Sequence, residues 1–136
     1  MKLKLPFYIH KVGAGFPSPA TDYIEDDIDL NSNLIKNPPA TFIIRVQGKS
    51  MTDVGIHDGD LLIVDRSIDP KNLSTVIANV NEELVVKTFV KGKDNNCLNS
   101  GKNNNYLTSG PNKIELSENP NVIIWGVVTY VIHKLQ

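Results

Sequence analysis

The sequence predicts a mainly β fold, built as a meandering sheet or small barrel around one core, and three observations carry that expectation. Val and Ile together number 27 against only 4 Ala, and branched β-carbons restrict helical rotamers while suiting pleated, half-buried surfaces. Short apolar runs recur along the chain with turn chemistry between them: His57-Asp58-Gly59, Asp69-Pro70, Asn81-Glu82, Lys91-Gly92-Lys93 and Ser109-Gly110-Pro111-Asn112. A length of 136 residues, 40% hydrophobic and 21% charged, suits one core and falls short of two ordinary domains.

The elements follow in order. Gly13, Gly15, Pro17 and Pro19 crowd a span that cannot hold a continuous ladder, so the first twenty or so residues read as an arm. The arm carries Lys2, Lys4 and Lys11 and no acid as far as residue 14, whereas Asp22, Glu25, Asp26, Asp27 and Asp29 follow it. That acidic stretch reads as a solvated segment favouring the start of a helix. Asp29 is the N-cap of a helix of about two turns, with Leu30, Leu34 and Ile35 on one face, and Pro38-Pro39 must end it. The chain therefore divides into an arm over 1–28 and a β-rich domain over 29–136. Strands are expected at Thr41–Gln47, Asp60–Asp65, Thr75–Val80, Glu83–Val90, Leu107–Thr108 with its flanks, Ile114–Leu116 and Val122–Ile132, the last long enough to bend or split. The Asn-rich stretch from Asp94 to Asn105 is a surface loop by composition, and Cys97 within it is assigned no role.

Composition excludes several classes of function. Lys plus Arg is 14 and Asp plus Glu is 15, so a net charge of -1 supplies no overall field for holding nucleic acid nonspecifically. The single cysteine leaves no disulfide framework and no multi-cysteine metal site, and no cofactor or metal is expected. No stretch approaches the roughly 18 apolar residues that span a bilayer. Pro6 and His10 interrupt the one N-terminal run that mimics a secretory signal, so the expected location is the cytoplasm, with no membrane partner.

The chemistry concentrates in two segments. Phe42-Ile43-Ile44-Arg45-Val46-Gln47-Gly48-Lys49-Ser50-Met51 reads as a strand entering a glycine turn that exposes the hydroxyl of Ser50. Gly48-Lys49-Ser50 also mimics the end of a phosphate-binding loop, but the required first glycine would fall at position 43, which is Ile. A nucleophilic serine needs a base, and no Ser-His-Asp order stands out among His10, His57 and His133; His57 reads as an exposed turn residue. Lys87 is the other candidate. By alternation it shares an apolar face with Val85 and Phe89, where desolvation disfavours the ammonium and leaves a neutral amine competent as a base. The competing reading is an edge lysine that carries its charge out to water.

The two segments together resemble the LexA/UmuD family of self-cleaving proteins, peptidases with a serine–lysine dyad. Three stretches carry the likeness: Ala14-Gly15-Phe16-Pro17-Ser18-Pro19-Ala20 with Asp22-Tyr23 and Ile28-Asp29-Leu30-Asn31; Gly48-Lys49-Ser50-Met51 with Gly55-Ile56 and the run Asp58-Gly59-Asp60-Leu61-Leu62-Ile63-Val64-Asp65; and Val85-Val86-Lys87. The lysine stands 37 positions after the serine, and the likeness runs from about residue 13 onward.

The resemblance implies twisted antiparallel sheets in a partly closed barrel, with Ser50 as nucleophile, Lys87 as general base and Ala14-Gly15 as the bond cut in the protein's own arm. Small residues on both sides of that bond would let an extended backbone approach the serine closely. Backbone amides of Ser50 and Met51 are the candidate oxyanion donors. The resemblance further implies a homodimer, stimulation by a RecA filament on single-stranded DNA, and service after cutting as accessory subunit of an error-prone polymerase of the UmuC type, with other replication proteins as further partners. Loss of residues 1–14 would shift the formal charge from -1 to -4 and unmask the acidic stretch. Fourteen residues cannot encode a helix-turn-helix, so direct sequence-specific DNA binding is not expected. Two other readings stand beside self-cleavage: a module that binds the same partners without cutting, and an antagonist that traps them.

Overall fold

The computed structural model describes residues 4–8, 24–49, 51–92 and 104–135 of the chain. The chain separates into two compact units, residues 1–36 and 37–136.

In the first unit, β1 (Lys4–Tyr8) pairs antiparallel with β2 (Ile24–Asp29). Two segments read from the sequence as arm and as solvated acidic stretch thus form a ladder. Backbone pairing does not depend on side-chain propensity, which is why β-propensity alone missed it. The register slips between Leu5 and Phe7, where Pro6 has no N–H to donate. Helix α1 (Leu30–Leu34) follows at once and is shorter than the two turns expected, with Leu30 48% exposed. The helix stops at Leu34, before Pro38-Pro39 as expected, and the prolines lie in a separate 3-10 turn over Pro38–Ala40.

The second unit is a seven-stranded antiparallel sheet made of β3 (Thr41–Arg45), β4 (Leu61–Asp65), β5 (Thr75–Val80), β6 (Glu83–Val90), β7 (Tyr106–Ser109), β8 (Asn112–Glu115) and β9 (Ile123–Ile132). Its spatial order is β3-β4-β9-β5-β6-β7-β8. Asn81 and Glu82 close the β5–β6 hairpin with φ of 51° and 67°, the left-handed pair that a two-residue turn requires.

Strand β9 does bend. Its second half pairs with β4 and its first half with β5, and each ladder carries an irregularity, between Ile63 and Val64 and between Ile77 and Ala78. Bulges of this kind increase local twist. Gly126 lies at the crowded point, where an added β-carbon would stand 2.6 Å from Val64 Cγ1.

Alternation along the strands sends successive residues to two clusters. Val46, Met51, Ile56, Leu62, Val64 and Ile77 form one. Val76, Ala78, Phe89, Leu107 and Val127 form the other. Trp125 packs against the first cluster, its ring 5.2 Å from that of Phe42, and the Arg66 guanidinium covers it at 4.4 Å.

Candidate active site

The segment after β3 is held by backbone geometry before any catalytic chemistry is considered. Val46 donates its N–H to the carbonyl of Asp60 and accepts from the N–H of Gly59, both at 2.8 Å, so the chain leaving β3 is laced to the turn that precedes β4. Arg45 Nη1 donates to the carbonyl of Gly59 at 3.1 Å. Gly48, at φ 106°, occupies the left-handed region and aims its N–H at Asp58 Oδ1, 2.8 Å away. Beyond the loop, Met51 is 3% exposed in the first core cluster, and its carbonyl accepts from the N–H groups of Val54 and Ile56 at 3.2 Å each. The loop is therefore pinned at Gly48 and again at Met51. Ser50 itself lies outside the described residues, as do Ala14, Gly15 and Cys97.

Lys87 sits in the middle of β6, half-buried, with the fully buried Val76 as its ladder partner. Val85 and Phe89, two residues to either side of it, belong to the second cluster or pack on it, so the apolar row expected from alternation is present. Lys87 and the serine loop share one cleft of about 530 Å³, which Ile44, Val46, Gly48, Met51, Leu84 and Lys87 line in part. The cleft thus gathers the lysine and the two residues that bracket Ser50 in the chain. Among the described residues no ion pair engages Lys87.

A third group was missed by sequence reasoning. His133 Nδ1 lies 2.5 Å from Asp60 Oδ1, and the rings of His133 and His57 stand 4.9 Å apart. Asp60 is 2% exposed, and its second oxygen accepts the N–H of His57 at 2.8 Å. Burial raises the Asp60 carboxyl, but the N–H of His57 and the His133 ring outweigh it and hold the group below the ordinary 3.8. His57 is exposed in its turn, as expected, yet it has a ring neighbour 76 positions away that no local pattern announces. The signal lies in the strand register, because Leu61 pairs with Ile132 and the residues just beyond must meet. Among the described residues no group of three potential ligands could hold a metal ion, and no helix is long and apolar enough to cross a membrane.

Gly48, Met51 and Lys87 thus line one cleft beside β3 and β6. The family model described as Peptidase S24-like matches residues 6–129. The chain belongs to this family. Among its Peptidase S24-like relatives, Protein ImpA of Salmonella typhimurium is 49% identical over 82 residues, covering 60% of this chain and 57% of ImpA. Protein MucA of Escherichia coli is 45% identical over 83 residues, covering 61% of this chain and 57% of MucA. The LexA repressor of Psychromonas ingrahamii is 46% identical over 83 residues, covering 61% of this chain and 39% of the repressor. The chain thus spans little more than half the length of the ImpA and MucA proteins it matches.

Proposed function

We propose that this Peptidase S24-like chain cuts itself between Ala14 and Gly15, with Ser50 as nucleophile and Lys87 as general base. One observation carries the reading: Lys87 lines the same cleft as Gly48 and Met51, which flank Ser50 in the chain. The neutral Lys87 amine takes the Ser50 hydroxyl proton as the oxygen attacks the Ala14 carbonyl carbon. Amides of Ser50 and Met51 receive the developing oxyanion. Collapse of that intermediate breaks the bond to the Gly15 nitrogen, which leaves with the proton that Lys87 returns. An ester joins Ala14 to Ser50. Water, deprotonated by the same amine, releases residues 1–14 and regenerates the serine.

The family resemblance extends the proposal to the SOS response. Cutting is stimulated by RecA on single-stranded DNA, and the product of residues 15–136 serves as a homodimeric accessory subunit of a UmuC-type translesion polymerase. Two exposed apolar side chains support self-association: Leu84 and Ile123, 50% and 62% exposed, stand on either side of Asn79 across β6, β5 and β9, where a second copy can bury them.

Intact-mass analysis of the full chain at alkaline pH tests the chemistry. Wild type yields fragments 1–14 and 15–136, while folded Ser50→Ala and Lys87→Ala chains stay whole. A wild type that stays whole even with RecA, nucleotide and single-stranded DNA refutes self-cleavage and favours the module that binds without cutting.

A further inference from the structure

The turn that grips the serine loop is itself gripped by a residue from the far end of the chain. Because Leu61 and Ile132 are ladder partners at the start of β4 and the end of β9, Asp60 and His133 fall side by side. The Asp60 carboxylate is buried with one oxygen on His133 Nδ1 and the other on the N–H of His57, so each of its oxygens has a partner in the turn or on the segment after β9. A buried carboxylate that loses a donor must rearrange or take up water, because an unpaired charge is not tolerated in such a site.

From that turn run the contacts that hold the loop: Gly59 and Asp60 to Val46, the Gly59 carbonyl to Arg45, and Asp58 Oδ1 to the N–H of Gly48, two residues before Ser50. None of them involves β6. The His133 side chain is 42% exposed, so removing it opens no core cavity; its contacts there are the Asp60 carboxylate and the His57 ring.

We propose that the His133–Asp60 pair is a clamp that positions the loop carrying Ser50, so that the segment following β9 governs self-cleavage. His133 is a positioning residue here, acting through Asp60 and Asp58. The proposal rests on the assignment of Ser50 as nucleophile, and its consequence is directional. Breaking the clamp shifts the serine side of the cleft while the Lys87 strand stays in place.

The test compares His133→Ala with His133→Asn in the full chain, each well below its own melting temperature. An asparagine side chain supplies an N–H close to where Nδ1 stands. Self-cleavage by His133→Ala slows at least about tenfold, since small displacements of reacting groups carry large rate costs, and His133→Asn recovers most of that loss. Wild-type cutting by His133→Ala, or equally slow cutting by both variants, overturns the clamp. Amide hydrogen exchange in a Ser50→Ala background reads the same geometry without any cutting. There His133→Ala accelerates exchange at Gly48, His133→Asn restores protection, and the β6 amides are unchanged; an unaltered Gly48 overturns the clamp even if the serine assignment fails on its own test. Should His133→Ala not fold, Asp58→Ala against Asp58→Asn breaks the same grip from an exposed side chain and is read by the same criteria.

Discussion

Asn37 Nδ2 donates to Asp65 Oδ2 at 3.1 Å, tying the first residue of the second unit to the last residue of β4. Asp65 is 5% exposed, and its other oxygen accepts from both the N–H and the hydroxyl of Ser67. The Ser67 hydroxyl, then Asn37 and the Ser67 N–H, hold its carboxyl below the ordinary 3.8 against the opposing effect of burial.

Acid stability follows from Asp65 and Asp60 together. Both carboxyls lie lower in the folded chain than in the unfolded one, so their contribution is fully present above the unfolded value near 3.8 and is lost as pH falls through the lower folded values. The melting temperature therefore holds level above about pH 5 and drops below about pH 4. Asp65→Asn sets an amide beside the Asn37 amide and removes the charge, so it lowers the melting temperature at neutral pH and flattens the acid decline. Circular dichroism melts across pH check both.

Catalysis has a pH dependence of opposite origin. A general base acts only when it has a free electron pair to take the proton, so self-cleavage accelerates as pH rises. Fragment yield against time at each pH measures this, and a flat profile removes Lys87 as the base.

Gly126→Ala probes the bend of β9. The new methyl would meet Val64 Cγ1 at 2.6 Å and Arg66 Cγ at 3.3 Å, and Val64 is fully buried. Overpacking of this kind costs about 1–3 kcal/mol, readable as a lower urea midpoint with an unchanged slope.

The proposed self-association is tested at Leu84 and Ile123. Leu84→Asp combined with Ile123→Asp places charge where a second copy would exclude water, and sedimentation should show a monomer at concentrations where wild type is a dimer. Because both side chains are at least half exposed, the melting temperature of the isolated subunit changes little.

Much of the sheet was legible because its strands are apolar runs bounded by turn residues. Thr75–Val80 and Glu83–Val90 have the bounds that alternation and the Asn81-Glu82 turn imply. The pairing of β1 with β2 was not legible, since an acidic segment such as Glu25–Asp29 carries no strand propensity and its partner lies far back in the chain. Lys87 could be singled out because a cation in an apolar strand breaks the local pattern. Asp60 and His133 could not, because each is an ordinary polar residue at a strand end and only the β4–β9 register joins them. The serine loop lies between these cases: Gly48 marks a turn in the sequence, whereas its grip by Asp58 appears only in three dimensions.

The position of β9 bears on how this domain comes into being on the ribosome. It follows every other described strand in chain order, yet it is the strand that joins the β3–β4 ladder to the β5–β8 ladder in the sheet. Until β9 has been synthesised, the edges of β4 and β5 that it pairs with have no partner there. Their pairing with it is a late, long-range event of the kind that makes folding slow and leaves edges exposed to stray pairing. Asp60 therefore gains its His133 partner only once synthesis has passed the end of β9.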